Sequence, residues 1–393
     1  MKRSMAALTA IALAGALVAA GCARPHPGPS GTGTPSSAPS ASPRQNAPIG
    51  GSWAMMPAAP VSGAMFHGVW TGSVLIVHRP DYQRGKGSVT AAYDPATHRW
   101  QKLASSPYTV QSNEAGSQVV WTGTEMLTFG VQNAGYNPAT GKWRALTAPP
   151  VAAPSIVVWT GRLVLQWGGG CCDEASDAGA AYDPATDRWQ ALPGSPLDGR
   201  RTSGTWTGTE MIVVGGQAHG ETFFADAAAY NPVTGVWRML APLPAPRYDA
   251  TVTWTGTQLL VVGGQPASPS TVPYDDGYCF DPSANQWRQM ASMGLARTDH
   301  MAAWTGTYLL VWGGQTKTAN GADFSTPPHG VAYDPASDRW QALPKAPLKG
   351  RMGAVTAWTG TELLVWGGLG AVSPFPTLLD GAVYTPDVAR SQL

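Results

Sequence analysis

The stretch TWTGTEMIVVGGQ, at residues 205–217, decides the fold because the chain repeats it. TWTGTQLLVVGGQ follows at 253–265, AWTGTYLLVWGGQ at 303–315 and AWTGTELLVWGGLG at 357–370. Each copy joins a Trp-Thr-Gly triplet to a short apolar run and a glycine pair. An apolar run of this length, bounded by turn signals, predicts a strand that is covered on both faces.

Three marks recur along the chain with a period close to 50 residues. The first is the tryptophan of each Trp-Thr-Gly triplet, at Trp70, Trp121, Trp159, Trp206, Trp254, Trp304 and Trp358. The second is an aromatic residue followed by Asp, Asn or Thr and then Pro, at Tyr93, Tyr136, Tyr182, Tyr230, Phe280, Tyr333 and Tyr384. The third is a tryptophan seven residues later, at Trp100, Trp143, Trp189, Trp237, Trp287 and Trp340. Each unit therefore predicts four short strands, A to D, joined by Gly-containing and Asp/Asn-Pro turns.

The two ends of the chain carry the two halves of one unit. The seventh unit lacks its later tryptophan after Tyr384, whereas Trp53 lies 17 residues before Trp70, the spacing that separates Trp189 from Trp206. The N-terminal segment is therefore predicted to supply the outer strand of the last unit, which removes a free sheet edge. Repeated four-stranded sheets covered by their neighbours predict an all-β fold, a closed seven-bladed β-propeller of antiparallel blades.

The repeat resembles the kelch repeat. Its pattern is a glycine pair followed by Y-[DN]-P-x-[TS]-x-x-W, as in GGQ…YNPVTGVW of the fourth unit. Two units depart from it, because VHR at 77–79 stands where the glycine pair is expected and FGV at 129–131 keeps one glycine; Phe280 and Thr385 replace Tyr and Asp. The resemblance covers roughly residues 51–393 and implies a fold like the central domain of galactose oxidase-like proteins. It also implies that the WTG tryptophans and the glycines are packing and turn positions.

The N-terminus predicts export. A basic start precedes an apolar run, residues 5–20, that is short for a membrane span. The run ends in AAGC, which resembles a bacterial lipobox, so residues 1–21 are predicted to be a signal peptide and Cys22 to carry a lipid on the extracytoplasmic side of the cell membrane. The alternative is an ordinary secretory signal. Residues 22–50 are rich in Pro, Ser and Gly and predict a disordered tether of about 30 Å before the propeller of residues 51–393.

The loops between strands B and C and between blades predict the binding face. They are long and varied, and in a meander they lie together on one face of the disc. An arginine recurs between blades, at Arg200, Arg247, Arg297 and Arg351, six or seven residues before a WTG tryptophan. Because strand A is innermost, these guanidiniums are expected to ring the channel mouth, where they suit carboxylates or phosphates. The alternative, implied by the kelch resemblance, is a structural arginine that bonds backbone carbonyls or a neighbouring loop.

Other polar residues of this face are further candidates for ligand binding: Tyr248, Asp249, Asp299, His300 and Glu221. Acid–base chemistry is conceivable among His219, Glu221 and the neighbouring side chains, with solvated loop residues as the alternative. Cys171 and Cys172 are adjacent, and a vicinal disulfide is expected, with free thiols or intermolecular pairing as alternatives. Cys279 is predicted to be a buried apolar residue. No His lies near the cysteine pair, which argues against zinc.

These features favour a tethered, monomeric binding module for a protein, peptide or glycan, with no cofactor. The net charge of +1, with 12% charged residues, gives no electrostatic reason to expect nucleic acid. The alternative is a carbohydrate-active enzyme, because kelch-type sialic-acid mutarotases place Arg and Glu in the channel mouth, and Glu221 or Glu114 could serve here. A galactose oxidase-like copper centre is disfavoured, because the cysteines stand beside no recognisable set of copper ligands.

Overall fold

Seven four-stranded antiparallel sheets make up the computed structural model. It describes residues 49–80, 88–108, 117–130, 132–151, 153–170, 175–218, 222–266, 272–317, 324–371 and 375–387. The chain starts with β1 (Gly51–Met55), and blade 1 follows as β2 (His67–Trp70), β3 (Leu75–Arg79), β4 (Val89–Asp94) and β5 (Arg99–Lys102). Blade 2 is β6 (Ser117–Trp121), β7 (Met126–Gly130), β8 (Ala134–Asn137) and β9 (Lys142–Ala145), and blade 3 is β10 (Ile156–Trp159), β11 (Val164–Trp167), β12 (Gly179–Asp183) and β13 (Arg188–Ala191).

The remaining blades follow the same order. Blade 4 is β14 (Arg201–Trp206), β15 (Met211–Gln217), β16 (Phe223–Asn231) and β17 (Val236–Leu240), and blade 5 is β18 (Thr251–Trp254), β19 (Leu259–Val262), β20 (Gly277–Asp281) and β21 (Gln286–Gln289). Blade 6 is β22 (Met301–Trp304), β23 (Leu309–Trp312), β26 (Gly330–Asp334) and β27 (Arg339–Ala342), with a small hairpin of β24 (Thr316–Lys317) and β25 (Phe324–Ser325). Blade 7 is β28 (Val355–Trp358), β29 (Leu363–Trp366), β30 (Gly381–Pro386) and β1.

The blades form a closed ring. Each first strand contacts the first strand of the next blade, and β28 of blade 7 contacts β2 of blade 1. The second strands are buried throughout, with four buried residues in LLVV of β19 and in LLVW of β23 and β29. Because every blade is covered by a neighbour on each side, the apolar runs need no polar face, and the predicted seven-bladed all-β fold is confirmed.

Closure uses both ends of the chain. Strand β1 pairs with β30, and Trp53 lies opposite Tyr384 as predicted, with their ring centroids 5.1 Å apart. The Tyr384 hydroxyl donates to the Gly50 carbonyl at 3.1 Å, and Ile49 packs into the core cluster of blades 6 and 7. The N-terminal strand is thus the outer strand of the last blade.

The strand D tryptophans join neighbouring blades. Each indole Nε1–H donates to a carbonyl of the segment that follows the preceding blade's outer strand, at 2.7–3.1 Å. The seven pairs are Trp53–Pro344, Trp100–Pro57, Trp143–Ala104, Trp189–Thr147, Trp237–Pro193, Trp287–Ala241 and Trp340–Ala291. The closing pair, Trp53–Pro344, repeats the geometry of the other six, so the chain ends meet as two ordinary neighbouring blades.

The glycine pair is required by a close approach between blades. Gly263 and Gly264 have φ of 61° and 88°, and a Cβ on Gly263 would lie 2.5 Å from the Arg297 carbonyl oxygen of the next blade. That carbonyl accepts a hydrogen bond from Gly264 N–H at 2.9 Å. Positive φ and contact with backbone together restrict this position to glycine.

Blade 1 replaces the glycine pair with Arg79 and Pro80, and a buried histidine precedes them. The His78 ring bonds Thr90 Oγ1 at 2.9 Å and Gln132 Oε1 of blade 2 at 3.1 Å. Burial lowers the pKa of His78 to about 3, so the ring is neutral at physiological pH. The departure in the repeat is thus accommodated by a polar contact between blades 1 and 2.

Among the described residues there is no helix with the length and apolarity that membrane crossing requires.

Candidate functional site

The four recurring arginines are buried. Their exposed fractions are 0–1%, and each guanidinium points into its own blade. Three of them donate to the first glycine carbonyl of the pair at 2.9–3.1 Å: Arg247 to Gly263, Arg297 to Gly313 and Arg351 to Gly367. The guanidinium thus fastens the start of each blade to the end of its second strand.

An aspartate four residues before the strand C aromatic completes this contact in three blades. The pairs are Arg200–Asp226, Arg247–Asp276 at 3.1 Å and Arg351–Asp380 at 2.9 Å. In blade 6 the corresponding residue is His329, whose main-chain carbonyl accepts from Arg297 at 3.2 Å. Burial lowers the pKa of Arg297 to about 10, which leaves it charged at physiological pH. This burial favours the structural alternative for all four arginines.

Half-buried polar side chains of this face lie beside the arginines, in blades 4 to 6. Asp249 and Asp299 occupy equivalent positions just before the inner strands β18 and β22, and both have a φ of 52°. The two backbones are joined, because Thr298 Oγ1 donates to the Asp249 carbonyl at 3.3 Å. Arg201 of blade 4 lies 3.8 Å from Asp249, and the two side chains keep 34% and 22% exposure. Two carboxylates and one guanidinium therefore meet where solvent still reaches them.

Burial dominates the electrostatics of the two aspartates. Although water reaches the rim, surrounding protein displaces most of it from the carboxyl groups and raises the pKa of both Asp249 and Asp299. The pKa of Asp299 rises to about 8, because the neighbouring charge of Asp249 adds to desolvation and outweighs the hydrogen bond from Gln315. The group combines a guanidinium with two carboxyl groups whose pKa values are both raised, and it offers both donors and acceptors.

The glutamine that follows the glycine pair belongs to the same cluster. Gln217, Gln265 and Gln315 lie opposite Arg201, Tyr248 and Thr298 in the strand register. Gln315 Nε2 donates to Asp299 Oδ2 at 2.9 Å, and the Tyr248 hydroxyl donates to Gln265 Oε1 at 2.9 Å. The sequence analysis missed these glutamines, although the recurrence of GGQ in three consecutive units was an available signal.

Aromatic rings border the cluster on the blade 4 side. Phe223 lies 5.2 Å from the Tyr248 ring. Burial raises the pKa of the Tyr248 phenol, and the nearby carboxyl groups of Asp249 and Asp299 raise it further. His300 is buried, bonds Thr251 Oγ1 at 2.9 Å and has its pKa lowered to about 3. Of the predicted site residues, Tyr248, Asp249 and Asp299 are therefore brought together, whereas His300 is a neutral interior contact.

The cluster is confined to one sector of the ring. In blade 7 the positions of Asp249 and Gln265 are taken by Gly353 and Leu369, and in blade 1 Met65 occupies the aspartate position with 42% exposure. The aspartate and glutamine of this face are thus replaced by small or apolar residues in blade 7, and the aspartate is replaced by an apolar residue in blade 1. We name Arg201, Tyr248, Asp249, Asp299, Gln217, Gln265 and Gln315 the blade 4–6 cluster.

A comparison with protein-family models identifies the type of two of these repeats. A family model described as Kelch motif matches residues 204–244 and 246–294, which correspond to blades 4 and 5. Blades 4 and 5 match the kelch motif, and the described chain folds as a seven-bladed β-propeller. A comparison with curated proteins finds no match.

Several predicted residues of the kelch propeller lie outside the described residues. These are Glu114, His219, Glu221, Cys22, Cys171 and Cys172. Cys279 is described and is buried as predicted, and its thiol donates to Gln258 Oε1 at 2.9 Å. Within the described part of the chain, no group of three or more His, Cys, Asp or Glu side chains is placed to hold a metal ion.

Asp299→Asn should change how the stability of the propeller depends on pH. The folded state raises the pKa of Asp299 from 3.8 to about 8, so between these values the folded protein holds a proton that the unfolded chain has lost. The contribution of Asp299 to the free energy of unfolding therefore falls as pH rises through that window. The variant should melt at least about 2 °C above wild type at pH 9, with the difference vanishing below about pH 4.

Asp183→Asn is the matched control, because it converts one Tyr-Asp-Pro turn into the Tyr-Asn-Pro found in blades 2 and 4. Its melting temperature should follow wild type at every pH. A pH-independent difference between the Asp299 variant and wild type would contradict the assigned pKa.

Proposed function

We propose that the propeller is a non-enzymatic binding module that holds a glycan on its loop face, at the blade 4–6 cluster. The observation that supports this most is the grouping of Asp249, Asp299 and Arg201 at positions where solvent reaches their side chains. Blade 7, which adjoins blade 6, carries Gly353 and Leu369 instead, and blade 1 carries Met65, so the polar sector is a local feature and not a consequence of the repeat.

The chemistry of the cluster suits an uncharged polyhydroxylated ligand. Carboxylate and amide oxygens accept hydrogen bonds from hydroxyl groups, whereas the guanidinium, the amide nitrogens and a protonated carboxyl donate. The Arg201 guanidinium already has the Asp249 carboxyl group 3.8 Å away, which favours a neutral ligand over an anion. Phe223, half-buried beside Tyr248, adds an apolar ring at the border of the cluster.

Binding to an array of soluble glycans, followed by titration of the glycan that binds best, tests this function. Asp249→Asn and Asp299→Asn should each lower the affinity for that glycan by roughly 10- to 100-fold. Each substitution removes or alters a hydrogen bond of a charged or acidic group that is worth about 1.5–3 kcal/mol. Asparagine tolerates the positive φ at both positions.

The control is again Asp183→Asn, which lies in a turn between strands C and D and should bind like wild type. Absence of any glycan that binds wild type, or equal binding by all three variants, would contradict the proposal. If the cluster bound a peptide or protein and no glycan, the proposed glycan ligand would be wrong and a polypeptide would take its place.

We also propose that the domain is tethered to the membrane by a lipid on Cys22. This proposal rests on the lipobox-like AAGC sequence and on the Pro-, Ser- and Gly-rich residues 22–50. Cys22→Ser should move the protein from the membrane fraction to the soluble fraction of cells and abolish incorporation of labelled fatty acid. Continued lipid labelling of the variant would refute the anchor.

A further inference from the structure

The outer edge of blade 4 carries a cluster of exposed apolar side chains. Seven large hydrophobic side chains of the described residues are exposed, and three of them lie within seven residues of one another. They are Val233, Val236 and Met239, with exposed fractions of 91%, 57% and 49%. A cluster of this kind on an unpaired strand is a recognised interaction surface.

The sister blades show what this edge ordinarily carries. The residue before the strand D tryptophan is charged or polar in the other six blades: Ser52, Arg99, Lys142, Arg188, Gln286 and Arg339. Blade 4 alone has an apolar residue there, Val236. Two positions after the tryptophan, blade 4 has Met239 and blade 7 has Met55, whereas blade 1 has Lys102. Polar and charged residues on an edge strand hinder pairing with another chain, and blade 4 lacks such a residue before its tryptophan.

The main chain of β17 offers bonds at this edge. In blades 5 and 6 the residue three places after the tryptophan donates to strand C, as Met290 does to Gly277 and Leu343 to Gly330, both at 2.9 Å. Leu240 has the same register with Ala227. Since the ladder bonds of a strand alternate in direction, Trp237 and Met239 direct their N–H and C=O groups outward.

We propose that the β17 edge is a homotypic interface, at which a second copy of this chain adds its own β17 in antiparallel pairing around a two-fold axis. The main-chain N–H and C=O of Trp237 in each copy face the C=O and N–H of Met239 in the other copy. The two-fold axis repeats this pair, which gives four main-chain hydrogen bonds. The indole and the thioether then lie side by side, a favourable contact. Such an isologous arrangement closes on itself and stops at a dimer.

The charges permit this pairing. Arg238 lies on the two-fold axis, and Glu210 of the same chain accepts from it at 2.7 and 3.0 Å, which reduces repulsion between the two arginines. The net charge of the whole chain is +1, so two copies repel little. A strand of five residues buries less area than a standard interface, so a weak dimer with a dissociation constant on the order of 10–100 μM is expected, in place of the monomer predicted from the sequence.

Sedimentation equilibrium of the purified protein from about 5 to 500 μM tests the interface. Wild type should pass from monomer to dimer, and V236R/M239K should remain monomeric. The two new residues are those of blade 1, Arg99 and Lys102, so the exchange has a precedent in the same fold. The melting temperature of the variant should equal that of wild type at low concentration, which separates a loss of pairing from misfolding.

Arg188→Lys, at the matching position of blade 3, is the control and should dimerise like wild type. A wild-type protein that stays monomeric up to 500 μM would overturn the proposal and leave the edge to a strand of another protein. A V236R/M239K variant that still forms dimers would overturn it as well.

Discussion

Deleting residues 52–60 should lower the melting temperature by more than about 10 °C or prevent folding at 37 °C. The deletion removes β1 from β30 and leaves the Tyr384 ring without its Trp53 neighbour. It also removes the Pro57 carbonyl that accepts from Trp100 and the Met56 side chain that packs between blades 7 and 1. Both sides of blade 7 are therefore affected, and the measurement is thermal unfolding followed by circular dichroism.

Removal of residues 1–48 is the matched control, because it shortens the N-terminus but keeps Ile49, Gly50 and β1. It should melt within about 1 °C of wild type. Trp53→Phe keeps the ring but loses the hydrogen bond to Pro344, and a loss of about 1 kcal/mol is expected from that bond, with any change in packing added to it. A deletion of 52–60 that melts like wild type would show that the ring closes without this strand.

Arg247→Met should destabilise the protein by about 3–5 kcal/mol. The guanidinium is 1% exposed, donates to Gly263 at 3.0 Å and pairs with Asp276 at 3.1 Å. Methionine fills part of the volume but leaves the Asp276 carboxylate and the Gly263 carbonyl without their donor. The free energy of unfolding from a denaturant titration measures the effect.

Arg99→Met is the control for loss of one positive charge, since Arg99 lies exposed on the outer strand of blade 1, and it should change stability by less than about 0.5 kcal/mol. Arg247→Lys should fall between the two, because an ammonium cannot reach the carbonyl and the carboxylate with the fork geometry of arginine. Equal stability of Arg247→Met and wild type would return this arginine to the list of ligand-binding candidates.

The architecture could be predicted because the repeat marks positions that do the same job in each blade. The strand D tryptophan donates a hydrogen bond to the preceding blade. Its spacing to the next WTG tryptophan was enough to assign Trp53 to blade 7 from the sequence, where it pairs with Tyr384. The glycine pair marked the end of strand B, where the Arg297 carbonyl approaches Gly263. Such positions repeat because neighbouring blades meet in the same way seven times.

The site was less predictable, because spacing does not reveal the direction of a side chain. Arg247 and Asp249 are two residues apart, yet the first points into the blade and the second lies at positive φ with 22% exposure. The arginine is therefore an interior contact, whereas Asp249, which was also predicted as a ligand-binding residue, remains partly exposed. Gln265, which was not predicted, is buried beside it. The β24–β25 hairpin was also missed, since Thr316–Lys317 and Phe324–Ser325 are each two residues long and carry no periodic pattern.

Hydrogen–deuterium exchange of wild-type protein with and without its best-bound glycan tests the location of the binding face most directly. Exchange is expected to slow in three segments that carry the blade 4–6 cluster, around residues 201–203, 248–251 and 298–301, and at the glutamines 265 and 315. No change is expected in the Trp-Thr-Gly and Tyr-Asp/Asn-Pro turns of the opposite face. Protection confined to those turns, or to the β17 edge, would contradict the proposed binding face.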